Sequence, residues 1–111
     1  MLQEYRLSEK APVDKLIGSL EKIFGNSAQT LVLENLIEKK GEPTYLSGIA
    51  EETGLSNSSV ARVIEPLIEN NLVIEKRLCK QIRTFTMNED NAVVKQIIKF
   101  YNELIALSIR K

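Results

Sequence analysis

Histidine is absent from this chain of 111 residues, and cysteine occurs once, as Cys79. Without an imidazole, histidine acid–base catalysis is excluded, and with it most zinc sites. A lone cysteine closes no internal disulfide and builds no thiolate metal cluster. The five glycines form no phosphate-cradling loop. No apolar run approaches the ~20 residues of a membrane span. The opening Met1-Leu2-Gln3-Glu4-Tyr5-Arg6 lacks the basic lead and apolar stretch of a secretory signal, so a cytoplasmic location is expected. The carboxylates left for catalysis, such as Glu51-Glu52 and Glu89-Asp90, are adjacent in sequence and diverge around a helix. They read as solvated charges. The expectation is a protein that is not an enzyme, with no catalytic residue, no metal and no cofactor.

An excess of either charge is also missing, because fifteen basic residues balance fifteen acidic ones. The distribution is uneven. Residues 1–71 carry seven Lys/Arg against eleven Asp/Glu, whereas residues 72–111 carry eight against four. A neutral total therefore leaves room for a local basic face, and the local face governs phosphate binding.

The length suits one domain. Residues 1–11 show no period and are expected to form an N-terminal arm, with a single domain over 12–111. Pro12 suits a first helical turn, and Val13, Leu16, Ile17, Leu20, Ile23 and Phe24 recur at helical spacing up to Gly25-Asn26. Ser27 caps a second helix from Ala28 to about Lys39, with Leu31, Val32, Leu36 and Ile37 inward and Gly41 as its stop. Thr44 is expected to cap a third helix from Tyr45 to Thr53, closed by Gly54. Ser56 caps a fourth beginning at Asn57. Pro66 would cost ~3 kcal/mol in an unconstrained helix interior, so a kink or restart is expected between Arg62 and Pro66. Asn70-Asn71 ends that helix. Residues 72–77 and 82–87 alternate as antiparallel strands about a turn at 78–81. Asn88 is expected to cap a last helix over 89–110, opened by Glu89-Asp90. The fold class is mainly α with a small β-hairpin.

One stretch is more specific. From Leu46 to Glu65 the chain presents a small residue, Ala50, where two helices must cross, and Gly54 four residues later for a turn with positive φ. Ile49, Leu55, Val60 and Val63 fill the wedge between the helices, and Ser56 caps the second. This is the form of a helix-turn-helix over 45–69, with a basic hairpin, or wing, following at 72–87. The run from Phe24-Gly25-Asn26-Ser27 through Ile49 to Ser56 and on to Ile64–Val73 resembles the small winged helix-turn-helix transcriptional regulators common in archaea, relatives of the MarR and ArsR groups. The resemblance covers about residues 20–110 and is sharpest at 46–74. It implies a transcription-regulator fold, double-stranded DNA as partner and a homodimer built on N- and C-terminal helices. The metal-binding cysteines and histidines of the metal-sensing ArsR proteins are absent, so metal sensing does not carry over.

A helical wheel over 57–69 places Val60, Val63, Ile64 and Leu67 in the core, with Ser58 and Arg62 opposite, flanked by Ser59 and Ala61. Arg62 is the candidate for a bidentate guanine contact. Ser58 and Ser59 are candidates for bases or phosphates, and Ser56 with Asn57 lies where helix N-termini hold phosphates. In the wing, Lys76, Arg77, Lys80 and Arg83 are expected on the backbone or minor groove, with Gln81 adding a polar contact at the tip. Cys79 reads as a surface residue. The last helix carries Val93, Ile97, Phe100, Leu104 and Leu107 as one apolar stripe, and Val94, Ile98, Tyr101, Ile105 and Ser108 as a second. The dimer contacts are expected at Val94, Ile98, Tyr101 and Ile105, joined by Leu16, Leu20 and Ile23 of the first helix. The alternative is a winged-helix protein–protein interaction module in a transcription, replication or DNA-segregation assembly, which the acidic balance of residues 1–71 keeps open. No residue pattern specifies a small-molecule effector or a target sequence.

Overall fold

A computed structural model describes residues 19–110. The expected arm and the start of the first helix, Leu16 included, lie outside the described residues. In chain order the elements are α1 (Ser19–Phe24), α2 (Ala28–Glu38), β1 (Thr44–Tyr45), α3 (Leu46–Thr53), α4 (Asn57–Glu69), β2 (Val73–Arg77), β3 (Arg83–Met87) and α5 (Ala92–Arg110). The three strands form one antiparallel sheet in the order β1-β3-β2. Among the described residues no helix is long and apolar enough to cross a membrane.

The helix starts and stops follow from local chemistry. The Ser27 hydroxyl accepts the amide of Thr30 at 3.2 Å and starts α2. The Ser56 hydroxyl accepts the amide of Ser59 at 3.1 Å and starts α4. Gly54 closes α3 in the left-handed conformation, with φ at 79°. Asn71, at φ 64°, turns the chain from α4 into β2. The helix α4 runs unbroken through Pro66, so the expected restart does not occur. Ile64 and Leu67 are buried on either side of the proline and anchor both halves to the same core, at about 1.5–3 kcal/mol per side chain.

The core is built where α2, α3, α4 and the sheet meet. Val32, Leu36 and Ile37 of α2, Ile49 and Ala50 of α3, and Val60, Ile64 and Leu67 of α4 pack with Val73, Phe85 and Met87 of the sheet. Leu20, Val94 and Tyr101 complete this cluster from α1 and α5.

Three expectations about element ends are corrected. Thr44 does not cap α3. It pairs with Phe85 as part of β1, and its hydroxyl donates to the Phe85 carbonyl at 3.3 Å. Helix α3 then starts at Leu46, with no side-chain cap from Tyr45. Asn88 does not cap the last helix either. Its Oδ1 accepts the Asp90 amide in a local turn, while Asn91 takes the amides of Val93 at 2.7 Å and Val94 at 3.2 Å. Glu89 and Asp90 thus precede α5 rather than opening it.

The two stripes of α5 are also reversed relative to expectation. Val94 and Tyr101 are 0% and 3% exposed, and Leu20 of α1 is equally buried, so this chain's own core consumes them. Ile98 and Ile105 are half-buried against that core. The side chains left outward are Val93, Phe100 and Leu107, at 56%, 43% and 57% exposure, with Ile23 and Phe24 exposed on α1.

Candidate nucleic-acid interface

The first two turns of α4 present a polar, exposed surface. Ser56, Asn57, Ser58 and Arg62 are exposed and Ser59 is half-buried. The serines are linked to one another: the Ser56 hydroxyl donates to Ser59 Oγ at 3.0 Å and shares a hydrogen bond with Ser58 Oγ at 3.2 Å. This network holds the helix start rigid and leaves Asn57 and Arg62 as the longer reaching groups. Arg62 has no ion-pair partner among the described residues.

The wing stands beside this helix because β2 follows α4 directly through the Asn70-Asn71 turn. Its tip is closed by the Leu78 amide donating to the Ile82 carbonyl at 2.9 Å, and by Arg77 Nη1 donating to the Lys80 carbonyl at 3.1 Å. Lys76, Cys79, Lys80 and Gln81 are exposed. Neither lysine has an ion-pair partner among the described residues. Arg77 reaches Glu75 at 3.4 Å but keeps 54% of its side chain in solvent.

Arg83 departs from its expected place as a free wing cation. Its Nε lies 2.6 Å from Glu75 Oε2 and its Nη2 lies 2.9 Å from Glu65 Oε2, with the guanidinium 5.0 Å from the Phe85 ring centre. Both carboxylates hold its proton more firmly, Glu75 foremost, and Arg83 in return keeps Glu75 below the usual carboxylate range. The wing's free cations change accordingly: Lys76, Lys80 and the largely solvated Arg77 remain available, while Arg83 is committed to Glu75 and Glu65. Glu65, on α4, accepts from Arg83 and is the helix-side anchor of this cluster.

A second polar cluster went unforeseen and uses no residue of α4 or the wing. Glu34, Asn35, Glu38, Lys39 and Glu52 line an open hollow of about 510 Å³ with Glu21, Leu31 and Thr53. The Tyr101 hydroxyl donates to Glu38 Oε2 at 2.9 Å, tying α5 to α2. Burial pushes Glu34 and Glu38 above the usual carboxylate range and pushes the Tyr101 phenol up as well. Glu52 is held low, by the Asn35 amide at 2.8 Å and then by Lys39 at 3.2 Å. The signal available in the sequence was Glu34 itself, three residues from both Leu31 and Ile37 on the inward side of α2. Among the described residues no three His, Cys, Asp or Glu side chains gather as a metal-ligand set.

A crossed helix pair, a following sheet with a protruding hairpin and a long terminal helix define a winged helix-turn-helix fold. Solved structures share it. The transcriptional regulator PA3341 aligns over 89% of this chain and 71% of its own, at 16% identity and a TM-score of 0.60. Reduced HlyU from Vibrio cholerae aligns over 83% of this chain and 90% of its own, at 18% identity and 0.57. The homodimeric winged helix-turn-helix DNA-binding domain of Mb0332 from Mycobacterium bovis, a possible ArsR-family transcriptional regulator, aligns over 89% of this chain and 86% of its own, at 15% identity and 0.54. No protein-family model and no curated protein sequence matches the chain.

Proposed function

We propose that this protein is a homodimeric, sequence-specific regulator of transcription that binds double-stranded DNA. The observation that carries the reading is an exposed Arg62 on α4, without an ion-pair partner among the described residues, beside a wing that exposes Lys76 and Lys80. An exposed helix N-terminus with Asn57 and Ser58 suits phosphates and base edges, and Arg62 suits a guanine in the major groove. Lys76, Lys80 and Arg77, with Gln81 at the tip, suit the backbone or minor groove. The shared fold of PA3341 and the Mb0332 domain supports the same reading, and the homodimeric state of the latter supports a two-fold assembly. The dimer surface fits the outward stripe of Val93, Phe100 and Leu107, with Ile97 and Leu104 at its edge, rather than Val94 and Tyr101. Such a role is cytoplasmic. The kinship with archaeal regulators rests on the sequence resemblance over about residues 20–110, sharpest at 46–74.

A mobility-shift experiment on the full chain tests the DNA reading. A mixed-sequence duplex should shift at micromolar protein and low salt, and release steeply as salt rises from about 50 to 200 mM. Absence of any salt-dependent shift would remove DNA as the partner.

A further inference from the structure

The strand register sorts the wing into two faces. Val73, Glu75 and Arg77 oppose Met87, Phe85 and Arg83 on one face, and Ile74 and Lys76 oppose Thr86 and Thr84 on the other. The first face starts in the core, where Val73, Phe85 and Met87 are at most 2% exposed. It leaves the core at Glu75 and Arg83 and ends at Arg77. Arg77 and Arg83 stand directly opposite each other, a pairing of like charges that is destabilising unless an anion intervenes. Glu75 Oε2 is that anion, at 2.6 Å from Arg83 and 3.4 Å from Arg77. Arg83 then extends a second bond to Glu65, eighteen residues earlier on α4. Two carboxylates and the Phe85 ring therefore fix one guanidinium between helix and hairpin.

We propose that Arg83 is a positioning residue: it locks the wing onto α4 through Glu65 and Glu75, so that Arg62 and the wing lysines are presented to DNA as one rigid unit. The clamp itself stands on the geometry of the free protein. Its consequence for recognition rests on the DNA-binding reading above. An arginine bonded through Nε and Nη2 to two carboxylates at 2.6 and 2.9 Å has its charge already compensated within the protein, so it adds little to the counterion release that phosphate binding drives. It also offsets part of the negative charge that Glu65 and Glu75 place beside the wing.

The experiment follows two quantities in wild type, Lys80→Ala, Arg83→Gln and Glu65→Gln. Fluorescence anisotropy of a labelled mixed-sequence duplex gives the dependence of affinity on salt. Amide exchange on the free proteins gives the opening of the wing at the Leu78 amide, whose bond to Ile82 closes the tip. Lys80→Ala should lower the logarithmic salt slope by ~0.9, as one lost phosphate contact does, whereas Arg83→Gln should leave the slope near the wild-type value. Exchange at Leu78 should quicken about threefold to tenfold in both Arg83→Gln and Glu65→Gln, because each cuts the same network. An Arg83→Gln protein that loses the same slope as Lys80→Ala, with Leu78 exchange unchanged, would overturn the proposal and make Arg83 a direct phosphate contact. Should Arg83→Gln fail to fold, Glu65→Gln decides through exchange, since that side chain is half exposed and only the helix leg is cut. A wild type that binds no duplex would defeat the functional reading, while the exchange comparison would still decide the clamp.

Discussion

Phe100 sits on the outward side of α5, with 43% of its surface in solvent, next to the fully internal Tyr101. Burying a phenylalanine side chain removes about 150–250 Å² from water, so the exposed fraction corresponds to about 65–110 Å². At ~25 cal/mol per Å² this is worth about 1.6–2.7 kcal/mol per ring if a second copy covers it. Two-fold symmetry doubles the effect, and truncation to alanine keeps a little of the contact, leaving a loss of about 3 kcal/mol for the dimer. Phe100→Ala should therefore raise the monomer–dimer dissociation constant about a hundredfold. Sedimentation equilibrium over about 1–100 μM measures it directly. Circular dichroism should show an unchanged fold, because Val94 and Tyr101 keep the protomer's own contacts. A wild type that stays monomeric at tens of micromolar, or a Phe100→Ala protein with an unchanged constant, would refute the assignment of this stripe.

Other expected outcomes follow from single residues. Arg62→Ala should cost about 1–3 kcal/mol on a selected duplex and much less on random sequence, measured by competition; equal losses on both would reduce Arg62 to a phosphate contact. Gly54→Ala should destabilise by about 1–2 kcal/mol, because φ there is 79° while open space surrounds a new Cβ, whereas Gly48→Ala inside α3 should stabilise by about 0.5–1 kcal/mol. Thermal melts showing the same sign for both would contradict that backbone reading. Glu34 has its carboxyl raised by burial, so the folded state binds its proton more tightly than the unfolded chain does. Its contribution to stability falls as pH rises from the usual carboxylate value through the raised one, the opposite of Glu75 and Glu52, whose contributions fall on acidification. Glu34→Gln should flatten the decline in stability between mildly acid and neutral pH, as followed by urea titration at several pH values; an unchanged slope would place Glu34 in water.

The helix-turn-helix was legible because each of its requirements is local. Ala50, Gly54, Leu55 and Ser56 carry crossing, turn, wedge and cap within seven residues, and the backbone angles at Gly54 and Ser56 answer those roles. What was not legible depends on partners distant in sequence. Strand β1 is only two residues long and exists because Thr44 and Tyr45 meet Phe85 and Thr84 some forty positions later. No periodicity survives in two residues. The stripes of α5 could not be ranked from the wheel, since both are apolar and the inward one is selected by the positions of α1, through Leu20, and α2, whose Glu38 accepts from Tyr101. The ion pairs of Arg83 were not legible either, because they join β3 to Glu75 on β2 and to Glu65 eighteen residues earlier on α4. Arg83 shares its strand face with the buried Phe85 and Met87, and the guanidinium lies over the Phe85 ring.

The central claim, a two-fold assembly that reads a DNA sequence through α4 and the wing, is tested most directly by selecting bound duplexes from a random-sequence pool with the full chain and sequencing them. The account predicts an enriched inverted repeat whose half-sites lie about 10–10.5 base pairs apart, centre to centre, or a multiple of that, bound by one dimer. A pool that shows no enrichment, or a single half-site bound by one copy, would contradict it.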